Sequence, residues 1–428
     1  MLFALAAGLC LLAPQTEPVT VYENAVIYPV SGPKIERGVL VIRGNKIESV
    51  GAAGAVTIPA DAKRVDLNGK VLIPGLVDTH SHVGGGDGAD ESSPIQPDAK
   101  VWEGIDVQNP DFIRAAAGGL TTINIMPGSG HLMSGQTLYA KNRKARTVED
   151  LFILGENGWI YGGLKMANGT NPIGTPPFPG TRSKSAALIR QKFQEAKDYQ
   201  KKWKDWEAKK EGESPDRDPG LDAMVEALEG KRIVQHHTHR ADDILAVLRL
   251  KQEFGLKVVL QHVSEGILVA DEIAKTNTPC SIIVLDAPGG KLEAVNYSSE
   301  TGRVLERQGV NVAIHTDDGI TESRLFLRSA AYAVRGGMTE SGALRALTLS
   351  GAEMLGLEKR VGSLEPGKDA DFVVLSGSPF ATRTRVLQTF VEGALRFDFN
   401  DPKMRVYAVG GPGAGHAVEP YLCCKGGN

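Results

Sequence analysis

Between residues 119 and 320 one pattern recurs: a short β-branched apolar run, a glycine-bearing or polar turn, then a helical stretch. Its instances are "LTTINIMPGSG", "RIVQHHTHRADDILAVLRLKQEFG", "LKVVLQHVSEGILVADEIAK", "CSIIVLDAPGG" and "VNVAIHTDDGI", the last followed by helical "ESRLFLRSAAYAVRGG". A run that is apolar at successive positions reads as a strand buried on both faces, and strands joined by helical crossovers lie parallel. "VLIPGLVDTHSHVGGGDG", at 71–88, opens the series: the run from Val71 to Val77 is expected as one such strand, with Asp78 to His82 at its carboxyl end. Seven barrel strands can be placed this way, and the third in order falls somewhere in 132–157. The expected fold is α/β, a (β/α)8 TIM barrel over 75–356. Residues 19–74 and 357–410 read instead as short strands with turns, expected to form a small β-sandwich domain from both chain ends. The segment 184–211 reads as a long charged helix with a solvated face and carries no chemistry.

A chain of 428 residues with 42% hydrophobic residues has room for a barrel-sized core and a smaller unit. The formal net charge of -3 leaves no electrostatic footprint for nucleic acid. Cys10, Cys280, Cys423 and Cys424 show no spacing that would build a zinc knuckle or a disulfide framework. The apolar run "LFALAAGLCLLA", at 2–13, is too short to span a bilayer but suits a signal-peptide core. No Lys or Arg precedes it, and Leu9 before Cys10 disfavours lipoprotein processing. The reading is a leader over 1–18, export to the periplasm or medium with the cytoplasm as the alternative, no membrane span in the mature chain, and a C-terminal tail over 411–428. Association into a homo-oligomer is compatible with the sequence and not specified by it.

Seven of the nine histidines, His80, His82, His236, His237, His239, His262 and His315, lie at or just beyond the ends of expected strands. In a barrel those ends share the face that carries active sites. Alternation along a strand points His80 and His82 the same way. Asp317, two residues beyond His315, adds a carboxylate. Imidazoles with a carboxylate suit zinc and also other borderline divalent ions such as manganese or cobalt.

"PGLVDTHSHVG", "HHTHRADDI", "LQHVSEG", "IHTDD" and "RVGSLEPGKDADFVVL" together resemble the amidohydrolase superfamily, in its imidazolonepropionase-like and prolidase-like branch. The resemblance covers nearly the whole mature chain. It implies His80 and His82 as first-strand metal ligands, His237 on the fifth strand, His262 on the sixth and Asp317 on the eighth. His236, one residue before His237, is expected to face away. "GGLKMANGTNP" is similar to the place where binuclear members carry a carboxylated lysine that bridges two metals, which implies Lys165. Where the superfamily's deaminases typically place a glutamate, three residues after the fifth-strand histidine, this chain has Arg240. That departure favours hydrolysis of a cyclic amide or dipeptide-like bond.

A bound divalent ion lowers the pKa of its water toward neutrality and polarises a carbonyl. Asp317 is then expected as the proton shuttle, with His262 or His239 helping to hold the developing oxyanion. The substrate is a small molecule. Arg240 is read as a clamp for a substrate carboxylate, with a surface ion pair as the alternative. Glycine-rich loops at 84–97, 128–136 and 167–180 stand over the barrel mouth, and His131 in the second is read as a substrate contact. Two alternatives stay open: a mononuclear cyclic amidohydrolase using His80, His82, His237 and Asp317, and a catalytically silent metal- or ligand-binding protein on the same scaffold. Replacing His80 or His82 with Ala is expected to lower the metal content of the purified protein. Unchanged content in both variants, with only about 1–3 kcal/mol of lost stability from broken buried hydrogen bonds, would mark the pair as structural.

Overall fold

The structure, a computed structural model, describes residues 17–85, 90–284 and 291–414. The expected signal-peptide core at 2–13, the cysteines 10, 423 and 424, and all but the first four residues of the expected tail lie outside the described residues. Five strands come first: β1 (Val19–Ile27), β2 (Ile35–Arg43), β3 (Lys46–Ala52), β4 (Lys63–Asp66) and β5 (Val71–Pro74). The middle of the chain supplies β6 (Leu76–Ser81), β7 (Leu120–Ile125), β8 (Met133–Gln136), β9 (Leu138–Lys141), β10 (Leu164–Ala167), β11 (Val234–Thr238), β12 (Val258–His262), β13 (Cys280–Ile283) and β14 (Val312–His315). β15 (Phe372–Leu375), β16 (Val386–Val391) and β17 (Ala394–Asp398) follow.

The middle strands make a TIM-barrel-like α/β arrangement. β10 to β14 pair in parallel and in chain order, and β6 pairs in parallel with β7. Helices Ala241–Phe254, Ala270–Lys275 and Thr301–Arg307 separate the strands from β11 to β14. The region of the third strand departs from the parallel scheme, because β9 runs antiparallel to β7 and β8 antiparallel to β10. Only residues 126–132 connect β7 to β8. A parallel return needs a crossover of about a dozen residues or more, so this short link turns the chain back on itself. Between β14 and β6 the backbone N–H of Asp317 donates to the carbonyl of His80 at 2.9 Å, and Thr316 donates through its N–H to Asp78.

The strands of both chain ends form one hydrogen-bonded mixed sheet of eight, in the order β17-β16-β15-β5-β1-β2-β3 with β4 also on β1. Where two sheets of a sandwich were expected, the ladder describes a single one. The run from Val71 to Val77, read as one strand, is also two. β5 pairs with β1 and β15 in the end sheet, and β6 pairs with β7 in the barrel region. Gly75 is the pivot between them. A Cβ there would stand 2.2 Å from Thr121 Oγ1, so only glycine lets the chain pass between the two sheets at this closeness.

The long helix runs over Arg182–Lys209, with Thr181 capping its first turn and Lys210 ending it in the left-handed region. It buries Ser185, Ile189, Phe193, Ala196 and Tyr199, the three- and four-residue spacing of one helical face, and leaves its charges to solvent. Among the described residues no helix is long and apolar enough to cross a membrane.

A buried ion network joins the end sheet to the barrel region. Lys141, on β9 and fully buried, lies 2.8 Å from Asp369 Oδ2 and also contacts Asp371, and Asp369 further meets Lys46 and Arg360. Burial alone would raise the Asp369 carboxyl, but these cations hold it down to about 2. Removing the lysine would take from the buried Asp371 the cation that it contacts and leave Asp369 with Lys46 and Arg360. Lys141→Met is therefore expected to cost about 3–5 kcal/mol of unfolding free energy, measured by denaturant titration, and unchanged stability would contradict the network's role.

Candidate metal centre

The carboxyl ends of β6, β10, β11, β12 and β14 deliver the side chains that the sequence singles out. β6 ends on Ser81 with His80 inside it and His82 just beyond, and their rings meet edge to face at 5.3 Å between centroids. His82 is steered by a 2.9 Å hydrogen bond between its Nδ1 and the carbonyl of Met126, the residue that follows β7. Asp317 Oδ1 lies 3.2 Å from His82 Nε2 and 3.4 Å from His80 Nε2. Lys165, on β10, is fully buried and brings its Nζ to 3.1 Å from His80 Nε2 and 3.4 Å from Met126 Sδ.

On the other side of His80 stands His262, with ring centroids 4.8 Å apart, and His237 packs against His262 at 4.4 Å. His239 stacks on His262 at 4.9 Å, and its Nδ1 is hydrogen-bonded to Ser264 Oγ at 2.8 Å. His315 joins from β14, with its Nε2 3.1 Å from His262 Nδ1 and its Nδ1 2.8 Å from Ser281 Oγ. Three interlocked groups result, His80 with His82 and Asp317, His80 with His262 and His315, and His237 with His239 and His262, each with its ligand atoms within 4.8 Å of one another. Every one of these residues is buried.

The backbone bends to make this possible. His262 and Asp317 take positive φ of 72° and 48°, as does Val263 at 54°. Such conformations cost on the order of 1–3 kcal/mol each in non-glycine residues and persist where the surroundings force them. Here they turn the ends of β12 and β14 inward. Asp78, beneath the centre, accepts from the backbone N–H groups of Thr316 and His80, and burial pushes its carboxyl up to about 7 against those bonds.

Two residues with assigned roles stand elsewhere. Arg240 forks onto Asp242 through Nε at 3.1 Å and Nη2 at 3.0 Å, and it is half exposed. His131 is buried, bonded through Nε2 to the carbonyl of Asp90 and packed against Phe178. His236 is turned toward a cavity between the helices Arg182–Lys209 and Ala241–Phe254, its Nδ1 bonded to the His237 carbonyl, and burial pushes its imidazole down to about 3. Two participants carried no signal strong enough to assign a role. His315 is one, and the other is Glu293, which follows β13 in a stretch without a motif. Glu293 Oε1 lies 3.9 Å from His237 Nε2, and its Oε2 accepts from the N–H of Thr170 at 2.8 Å. Burial alone would raise its carboxyl, yet the imidazoles of His237 and His239 and the Thr170 N–H hold it well below the usual carboxylate range.

A divalent ion suits this donor set. Imidazoles and a carboxylate converge in a buried volume, and both ring nitrogens of the buried His237 lack hydrogen-bond partners. Such an arrangement is costly for neutral packing and natural for ligation.

The chain matches the amidohydrolase family model over residues 71–409. A solved amidohydrolase from Thermotoga maritima superposes with a TM-score of 0.81 at 33% identity, covering 89% of this chain and 100% of that one. The imidazolonepropionase of Deinococcus radiodurans is 27% identical over 80% of this chain and 86% of its own length. The amidohydrolase tasK of Hapsidospora irregularis is 26% identical over 85% of this chain, which spans only 39% of that longer protein. With a family match over most of its length and its histidine-bearing strand ends gathered at one point, the chain belongs to the amidohydrolase family, hydrolases of carbon–nitrogen bonds.

Proposed function

We propose that this protein is a metal-dependent amidohydrolase that cleaves an amide, cyclic amide or dipeptide-like C–N bond in a small molecule, with Asp317 as proton shuttle. The observation that carries the reading is the interlocking of three ligand groups through His80 and His262, with Asp317 at one end. His80, His82 and Asp317 would hold one ion, His237 and His262 a second, and Lys165, carboxylated on its amine, would serve both. Zinc is the expected ion, with manganese or cobalt as alternatives. When bound, it supplies the Lewis acidity that brings the pKa of water toward neutrality and polarises the scissile carbonyl.

The chain's own groups do the rest. Asp317 takes the proton of the attacking water and delivers it to the leaving nitrogen. His239, held by Ser264, donates to the developing oxyanion, a contribution that burial of the site strengthens. Asp78 and Thr316 fix the turn on which Asp317 stands. The mononuclear reading also has an observation in its favour, since unmodified Lys165 already fits within hydrogen-bond distance of His80 Nε2. We further infer a closed barrel over 75–356 between the two halves of the end sheet, at 19–74 and 357–410, and export directed by a leader within 1–18. The tie between Asp317 and His80 supports closure, and the composition of 2–13 supports export.

Asp317→Asn is expected to keep most of its metal while kcat falls about 10²-fold or more, because a carboxamide accepts no proton. Near-normal kcat in the metal-replete variant would remove Asp317 from the shuttle role. Lys165→Ala is expected to lose metal and turnover together, with partial rescue of activity by added small carboxylates. Full metal content and full turnover in Lys165→Ala would leave the mononuclear reading in place.

A further inference from the structure

We infer that Glu293 is a substrate-binding carboxylate that selects amides bearing a free ammonium group close to the scissile bond. The inference rests on the amidohydrolase reading above and narrows its substrate class. An open cavity of about 690 Å³ has Thr170, Arg182, Arg240, Glu265, Leu292 and Glu293 among its walls. Of these, Glu293 is the residue that also faces the metal centre, through the 3.9 Å approach of Oε1 to His237 Nε2. A small molecule that fills the cavity and reaches the centre passes this carboxylate.

The charges of the wall decide what Glu293 meets. Arg240 is committed to Asp242 by two hydrogen bonds, and Arg182 holds Asp243 through its Nε at 2.9 Å and 3.1 Å. Glu265 spends one oxygen on the N–H of Ala241 at 2.8 Å and the other on Asn296 Nδ2 at 2.7 Å. Glu293 spends Oε2 on Thr170, while Oε1 is buried and has no hydrogen-bond partner. Arg182 Nη2 stays at 3.7 Å from Oε2, beyond hydrogen-bond distance. Gly169 makes room for the carboxylate, since a Cβ there would lie 2.5 Å from Oε2. A buried carboxylate oxygen left without a donor is costly, and an ammonium from the substrate supplies the charge-assisted hydrogen bond that it lacks. A substrate carboxylate at this place would instead face the like charge of Glu293, with Arg240 and the Nε of Arg182 already engaged and the partnerless Arg182 Nη2 left to offset that repulsion. The cavity thus favours a cationic group over the anionic one that Arg240 had suggested.

The test uses the metal-loaded full chain and two probes, L-leucinamide and N-acetyl-L-leucinamide, with binding measured by titration and release of ammonia followed in the same samples. Wild type is expected to bind the free amine about 10- to 100-fold more tightly than the acetylated probe, the range for one hydrogen bond to a charged group. Glu293→Gln, which keeps an acceptor for Thr170, is expected to abolish that preference with its metal content unchanged. Glu293→Asp, retaining the charge, should keep part of it and guards against a folding defect in the first variant. Equal or absent binding of both probes to wild type overturns the inference, as does a loss of metal in Glu293→Gln that accompanies the loss of preference. Preferential binding without any turnover of amides would uphold the role of Glu293 and sink the hydrolase reading. Turnover of blocked and free amides alike would do the reverse.

Discussion

A backbone hydrogen bond from the N–H of Asp317, two residues beyond the last strand of the barrel region, to the carbonyl of His80 ties that strand's end to the first. Much of the candidate centre depends on it. It brings the carboxylate of Asp317 over the two imidazoles of the first strand, and Asp78 and Thr316 hold the same turn from below. The positive φ of Asp317 is tolerable because this anchoring leaves the turn no other course. The metal-capable groups then grow outward from His80 to His262 and from His262 to His237, so that residues far apart in sequence depend on one junction.

The parallel series was readable because strands buried on both faces announce themselves as apolar runs, and because histidines at their ends are out of place in a core. β11, β12 and β14 fell where "IVQHHT", "VVLQH" and "VAIH" suggested. The third strand was readable neither in place, beyond the span 132–157, nor in direction. Its two short pieces, "MSGQ" and "LYAK", are poor in β-branched residues, and the brevity of the link over 126–132 decides that the chain runs back antiparallel. Nor could alternation show that Val71–Val77 is divided, since both halves are buried and the division is made by a close approach of Thr121 to Gly75 that no local pattern encodes.

The site divides in the same way. Period and position gathered the histidines at the strand ends, the resemblance to the amidohydrolase superfamily singled out the ligand candidates among them and added Lys165, and the structure brings His80, His82, Lys165, His237, His262 and Asp317 together. The settings of Arg240 and Glu293, away from the strands, could not be read in this way. Arg240 was read as a carboxylate clamp with a surface ion pair as the alternative, and it folds onto Asp242, two residues on, a local pairing that competes with any substrate. Glu293, one glutamate among many, acquires meaning only because Gly169 and Thr170, more than a hundred residues earlier, form its cradle. Three-dimensional proximity made that residue distinctive, and composition did not.

The central claim is that the histidine cluster exists to hold metal for catalysis. The most direct measurement is metal content by elemental analysis of the purified full chain alongside amidase turnover, before chelation, after chelation and after readdition of zinc. The account predicts about two ions per chain in the binuclear form or about one in the mononuclear form, with turnover falling and returning in step with that content. A chain that carries no divalent metal and hydrolyses amides at an undiminished rate would contradict it.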